Sequence, residues 1–278
     1  MPTIKELKED LQFNTELIEL LEVMKNTAIF QFRAMQSRKE RFDKFFKAVE
    51  GFFPVIGGHG SGNPLMAPAS SKEAIIMVTS DEGFMGSLNS QVINMASQRE
   101  AFKEAELIIV GERGARYLKE MNWRFTPFKG AADTKARRAL AANLTGYVID
   151  GVKKGKFGRV LVLYPKPISF LLQRVEAIEM LPIAAGQQAG TQELIMESPV
   201  DGIIDYLAEE LTGQRLVDIL EDSKIAEFAA RAIHLENSSR ELEEKKKKIR
   251  LQYFRAHHEM IDKSTRELFA AQITIRKS

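Results

Sequence analysis

The chain contains no cysteine. That single absence excludes disulfides, thiolate zinc, iron–sulfur clusters and a cysteine nucleophile. A strong charge of one sign is missing too. Forty Lys plus Arg against 38 Asp plus Glu leave +2, a balance that argues against a dedicated nucleic-acid binder and permits only a local basic stripe. No apolar run approaches the roughly 20 residues needed to cross a bilayer. The longest, AIIMV (74–78) and VLVLY (160–164), are of strand size, so any membrane association is expected to go through a partner. The opening MPTIKELKEDLQ has neither the apolar segment of a secretory signal nor the acid-poor composition of a transit peptide, and it reads as mature intracellular protein. No G-x-x-x-x-G-K-[ST] stretch occurs, so no phosphate-cradling loop is available.

What is present suits a folded chain: 278 residues, 28% charged and 44% apolar, supply enough apolar material for a core. Alternating steps of three and four from Ile4 pass through Leu7, Leu11, Asn14, Ile18, Leu21, Lys25, Ala28, Phe32, Met35, Lys39, Phe42, Phe46, Val49 and Phe53. Asn14, Lys25 and Lys39 are the polar exceptions, and no proline intervenes before Pro54. This spacing predicts a coiled-coil helix over about the first fifty residues. The same stepping from Ile225 reaches Phe228, Ala232, Leu235, Ser239, Leu242, Lys246, Ile249, Tyr253, Ala256 and Met260. No Gly or Pro follows Asp222, and Glu241/Lys245, Glu243/Lys247 and Glu244/Lys248 add i,i+4 pairs in the favourable order. Two long terminal helices that each need a seam partner pair most simply with each other. An intervening domain makes the antiparallel arrangement the easier one.

Between them the texture changes. GGHGSGNPLMAPASS (57–71) is loop, AIIMVT (74–79) a strand, and LNSQVINMASQREAFK (88–103) a helix. LIIVG (107–111) is a second strand, ARYLKEM a short helix, 133–154 a longer one, RVLVLYPK (159–166) a third strand and RVEAIEMLPI (174–183) an edge strand. GQQAGTQ (186–192) reads as the loop back to the helices. The expectation is an α/β protein: a long antiparallel coiled coil from residues 1–56 and 200–278, plus a central Rossmann-like α/β domain at 72–192.

The chemistry is sparse. VGERG (110–114) offers only Gly111 and Gly114, too little for a dinucleotide fingerprint, and reads as a glycine-assisted turn. In TSDEGFMGSLN (79–89), Asp81 and Glu82 follow a strand but have no converging base, and their charge is wrong for phosphate. A structural turn explains this stretch better, with Ser80 or Asp81 capping the following helix and Gly83 and Gly86 allowing the bend. His257 and His258 point about 100° apart on a helix, poor geometry for one metal. KKKKIR (245–250) is offset by three glutamates just before it and reads as a charged helix face.

Together these segments resemble the gamma subunit of the F-type ATP synthases. TSDEGFMGSLN resembles the family's S-D-R-G-L-C-G-G-L-N signature through Ser80, Asp81, Gly83, Gly86, Leu88 and Asn89. GYVIDGVKKGKFGRVLVLYPKPISFLLQRVEAIEMLPI (146–183) is similar to the family's helix, glycine turn, strand and "LLP" end. AARAIHLENSSRELEEKKKKIRLQYFRAHHEMI (229–261) aligns with the family's C-terminal helix, and KNT (25–27) with RAM (33–35) resembles K-N-T-x-K-I-T-x-A-M with one extra residue between the two parts. Glu82 stands at the motif's Arg, Met85 at its Cys, His257 and His258 at its Arg-Gln pair, and Phe254 at its Asn. These departures mark a divergent paralogue, of the standard enzyme or of an alternative rotary ATPase.

The resemblance implies a rotor shaft without catalytic residues or a cofactor of its own. Its tip, including LFAAQITI (268–275), would sit in the bore of an alpha/beta hexamer that handles ATP and magnesium. The α/β domain would bind an epsilon-type subunit and stand on the c-subunit ring, placing the chain peripherally at the cytoplasmic face of a bacterial membrane. Hexamer contacts implied by the matched motifs are Lys25, Asn26, Thr27, Arg33, Met35, Arg255, His257, His258 and Ile261. Ser80, Asp81, Gly83, Gly86 and Asn89 would form the structural turn of the central domain. The polar seam residues Asn14, Lys25 and Lys39 are either pins that fix register or points where the rod leaves its partner and meets the hexamer; the resemblance assigns Lys25 to the hexamer, because KNT falls where the family's rod meets the hexamer's collar. Two rivals stand beside this reading: a non-rotary coiled-coil adaptor with an α/β head, and a Rossmann-like enzyme binding nucleotide at VGERG.

Overall fold

The computed structural model describes residues 3–39, 43–56, 62–184 and 199–275. The 186–192 loop and Phe42 of the proposed seam lie outside the described residues. Contacts divide the chain into two compact units, residues 1–28 with 232–278, and residues 29–231.

The larger unit is built on five strands: β1 (Glu73–Val78), β2 (Glu106–Val110), β3 (Thr126–Phe128), β4 (Arg159–Pro167) and β5 (Gln173–Leu181), in the order β3-β2-β1-β4-β5. The β1–β2, β1–β4 and β2–β3 pairs are parallel, and β5 closes the far edge antiparallel to β4. β1 is buried along its entire length, as a parallel strand covered on both faces must be. Its alternate residues serve two cores. Ala74, Ile76 and Val78 face α6 (Thr134–Lys153) and the first half of α7 (Val200–Ile275), through Leu144, Val148, Ala208 and Leu220. Ile75 and Met77 face α4 (Leu88–Ser97) and α5 (Glu112–Glu120), through Val92, Ile93 and Leu118. The Rossmann-like expectation is met. β3 was not anticipated: it has three residues, and Pro127 gives the sequence no strand signal. A residue without an N–H suits a sheet edge, where β3 lies.

The N-terminal helix is shorter than its spacing predicts. α1 covers Ile4–Arg38, and α2 (Asp43–Glu50) and α3 (Phe53–Ile56) are separate helices. The apolar residues meant to continue the seam have a different partner: Val49 and Phe53 belong to the sheet core with Ile76, Leu181 and Leu211, and Phe46 packs against it. Heptad spacing identifies an apolar face, not what it packs against. The C-terminal helix begins at Val200 and runs through Gly202 and Gly213 as one 76-residue element. Packing of its buried first half against the sheet outweighs the roughly 1 kcal/mol that each interior glycine costs.

In the smaller unit α1 and α7 share a seam. Leu7, Asn14, Leu21 and Ala28 are buried at every seventh residue, and Ala232, Leu235, Ser239 and Ile249 are their buried counterparts on α7. None of the predicted seam positions from Ile4 to Lys39 is exposed.

Candidate functional site

The polar side chains that join one long helix to the other are the first candidates. In the smaller unit Lys25 Nζ donates to Glu236 Oε2 at 2.8 Å, with Glu22 at 3.7 Å. The bond to Glu236 holds the Lys25 ammonium above the ordinary lysine range and, with Arg240, holds the Glu236 carboxyl below the ordinary glutamate range. In the larger unit Lys39 Nζ donates to Asp222 at 2.5 Å and reaches Asp218 at 3.2 Å. Burial works against the Lys39 charge, but the two carboxylates outweigh it and raise its affinity for the proton. Burial also pushes the Asp222 carboxyl up despite Lys39.

Lys25 to Lys39 is fourteen residues forward along α1, and Glu236 to Asp222 is fourteen back along α7. Phe32, midway between the lysines, packs with Ile225, Phe228 and Ala229. Within the larger unit, Phe32 against Ala229 and Lys39 against Asp222 make an antiparallel match, as the sequence leads one to expect. Lys25, expected to turn toward the hexamer, is paired across the seam to a carboxylate of α7, as is Lys39. Asn14, the third polar seam residue, is buried and satisfied within its own helix, donating to the Asp10 carbonyl at 2.7 Å.

The remaining residues at the two matched segments divide by exposure. Asn26, Thr27 and Arg33 on α1 face solvent, as do Arg255, His258 and Ile261 on α7. Met35 is half-buried against the Phe32 cluster, and His257 is half-buried with its ring 5.9 Å from that of Tyr253. Extending the seam register places the first residue of α1, Ile4, opposite position 257 of α7. Every residue from His258 to Phe269 is exposed, with Met260, Ile261, Leu268 and Phe269 bare. Among the described residues no three His, Cys, Asp or Glu side chains converge as a metal site.

The Ser80–Asn89 turn forms a closed polar knot. Ser80 N donates to Asn89 Oδ1 (3.0 Å), Asn89 Nδ2 to Ser80 Oγ (2.7 Å), and Ser80 Oγ to the Glu82 carbonyl (2.9 Å). Phe84 and Gly86 take positive φ, and a Cβ on Gly83 would lie 2.9 Å from the Arg113 guanidinium. The turn does not cap the helix that follows it. Asp81 Oδ1 instead accepts from Glu112 N at the start of α5 (3.0 Å) and from Gly130 N (3.2 Å). Spacing along the chain cannot reveal that bond, because its partner lies 31 residues away and comes near only once β1 and β2 pair. Gly111, at φ 99°, and Gly114 let α5 approach so closely that added Cβ atoms would sit 2.3 Å from Thr79, as a structural turn requires. Sequence reasoning missed the outward contact of this turn. Glu82, at the place of the motif's Arg, forms an ion pair at 2.5 Å with the buried Arg231 of α7. Reading Glu82 and Arg231 as opposite charges in the two most specific matched segments would have suggested it.

Two long terminal helices paired antiparallel, and an α/β layer whose distinctive turn ties β1 to α5 and, through Glu82, reaches Arg231 of α7, define a shaft-type structural subunit. The comparisons agree. The family model described as ATP synthase matches residues 3–271. Over 277 residues, 96% of this chain and 97% of the relative, the chain is 24% identical to the ATP synthase gamma chain of Pelotomaculum thermopropionicum, and it is also 24% identical over 270 residues to that of Maridesulfovibrio salexigens. Its fold is similar to a chain of the Euglena gracilis mitochondrial ATP synthase rotor, with TM-score 0.66, 12% identity and coverage of 93% and 98%. It is also similar to one in the central stalk and c-ring of the Tetrahymena thermophila enzyme, with TM-score 0.60, 21% identity and coverage of 79% and 99%. The chain belongs to the ATP synthase gamma family. It is therefore a non-catalytic subunit, and among its described residues no helix is long and apolar enough to cross a membrane.

Proposed function

We propose that this chain is the central rotor shaft of a rotary ATP synthase or ATPase, transmitting torque between a membrane ion-driven ring and a catalytic alpha/beta hexamer. The observation that carries the reading is the pinned seam: Lys25–Glu236 and Lys39–Asp222 hold α1 and α7 at one register, and a helix pair that cannot slide resists twisting along its length. The helices α1 (Ile4–Arg38) and α7 (Val200–Ile275) supply the shaft, and the five-stranded α/β layer carries the epsilon-type subunit and stands on the c ring. The exposed Asn26, Thr27, Arg33, Arg255, His258 and Ile261 touch the hexamer, while Lys25, Met35 and His257 orient these neighbours from the seam. The bare end of α7 enters the hexamer's bore. Nucleotide and magnesium belong to the hexamer, and this chain needs no cofactor. It acts peripherally at the cytoplasmic face, coupled to protons or sodium ions.

The test is co-expression with candidate alpha and beta subunits, followed by sizing and an ATPase assay. One shaft per three alpha and three beta subunits, with activity dependent on the shaft, is the expected result. A chain that stays monomeric or self-dimerises in their presence would instead be the coiled-coil adaptor.

A further inference from the structure

Within the larger unit, the end of α1, the start of α6 and the middle of α7 enclose a cleft of about 250 Å³. Its walls carry Arg38, Lys39, Thr134, Arg137, Arg138 and Glu221. Lys39 is committed to Asp218 and Asp222. The three arginines differ: among the described residues none has a carboxylate within ion-pair distance. Arg137 is 5% exposed, and its guanidinium donates only to neutral oxygens, the Ala132 carbonyl and Thr134 Oγ1, both at 3.0 Å. Its Nε is buried without a hydrogen-bond partner. Burying a guanidinium with an unmet donor is costly unless an anion completes it. Thr134, on the cleft wall, opens the 20-residue α6, whose first turn is capped by Asp133 accepting from Ala136 N at 2.7 Å.

We propose that this cleft is a phosphate-binding site. A tetrahedral oxyanion matches forked guanidinium donors better than a single carboxylate does. One phosphate can accept from Arg38, Arg138 and the unmet Arg137 Nε, tying α1 to α6 at the level of α7. Glu221 is the opposing group, a carboxylate on the same wall, and it sets the affinity by repulsion. The inference does not depend on the rotor reading, because it concerns the isolated chain.

The probe is inorganic phosphate added to the full chain, with chloride at matched ionic strength as reference. Thermal unfolding and phosphorus NMR line width report binding. Phosphate should raise the melting temperature beyond chloride and broaden the phosphorus signal. R38A/R138A, which alters two exposed side chains, should weaken apparent affinity about tenfold or more, given the strength of charge-assisted hydrogen bonds. K103A/R116A, which removes the same charge from another face, should leave it unchanged. E221Q should tighten binding severalfold. If R38A/R138A fails to fold, R138A alone serves, with a smaller loss expected. The proposal is overturned if phosphate acts no more strongly than chloride, if K103A/R116A loses as much as R38A/R138A, or if E221Q binds no more tightly than the parent chain.

Discussion

The two units bury their residues by different rules. In the larger unit burial runs through consecutive positions: all six residues of β1 are buried, as is every residue from Ile225 to Arg231 on α7. In the smaller unit burial is intermittent: once per heptad on α1, and on α7 at Ala232, Leu235, Ser239 and Ile249. One is a core packed from all sides, the other a single line of contacts. In the first a lost side chain leaves a cavity that many neighbours feel. In the second a loss is local, and register matters more than volume.

That contrast is open to measurement. The largest effect is expected from Phe157→Ala, which removes a fully buried ring seated on Gly151 and should cost about 4 kcal/mol in denaturant unfolding. Gly111→Ala comes next, at about 3 kcal/mol, because its positive φ and the Thr79 carbonyl oppose any Cβ. Leu21→Ala in the seam should cost about 2 kcal/mol. If it costs as much as Phe157→Ala, the distinction between core and line fails.

Acid should act on the two units in opposite directions. Burial pushes the Glu221 and Glu227 carboxyls above the ordinary value of 4.5, so they lower stability as pH rises past 4.5 and cease to do so as pH falls through their raised folded values. Lys25 holds Glu236 below 4.5, so its contribution is present above that pH and is lost on acidification through the lowered folded value. Hydrogen exchange along α7, corrected for intrinsic rates, should therefore show protection near Glu236 that is flat from about pH 7 to about pH 4.5 and falls below that. Near Glu227 it should hold or rise. The smallest effect is Lys25→Gln, about 0.5 kcal/mol and vanishing at high salt. Unfolding midpoints at low and high ionic strength check it.

Much of the fold is legible in the sequence. β1, β2 and β4 are apolar runs bounded by turns, and the seam's repeat survives in Leu7, Leu21, Phe32 and Leu235. What escaped depended on competition between partners. Phe46, Val49 and Phe53 keep the seam's spacing yet pack on the sheet core, a choice that periodicity cannot decide. The turn was legible as a turn, but not the helix that Asp81 caps, nor the Glu82–Arg231 ion pair. Those contacts join segments distant in sequence, and only the closed sheet brings them together. Lys25 stood out as a charge in an apolar row, but its role waited on the identity of the residue across from it.

The seam register has one more consequence. Because α1 begins opposite position 257, the final eighteen residues of α7, 258–275, have no companion helix in their own unit. A lone helix of that length in water sits near the helix–coil midpoint. Thermodynamically this tip is a peptide equilibrium attached to a folded protein: its helicity should decline smoothly on warming, without the cooperative step of the sheet. Any surface that encloses it must suppress that fraying, so part of its binding free energy should appear as an ordering entropy.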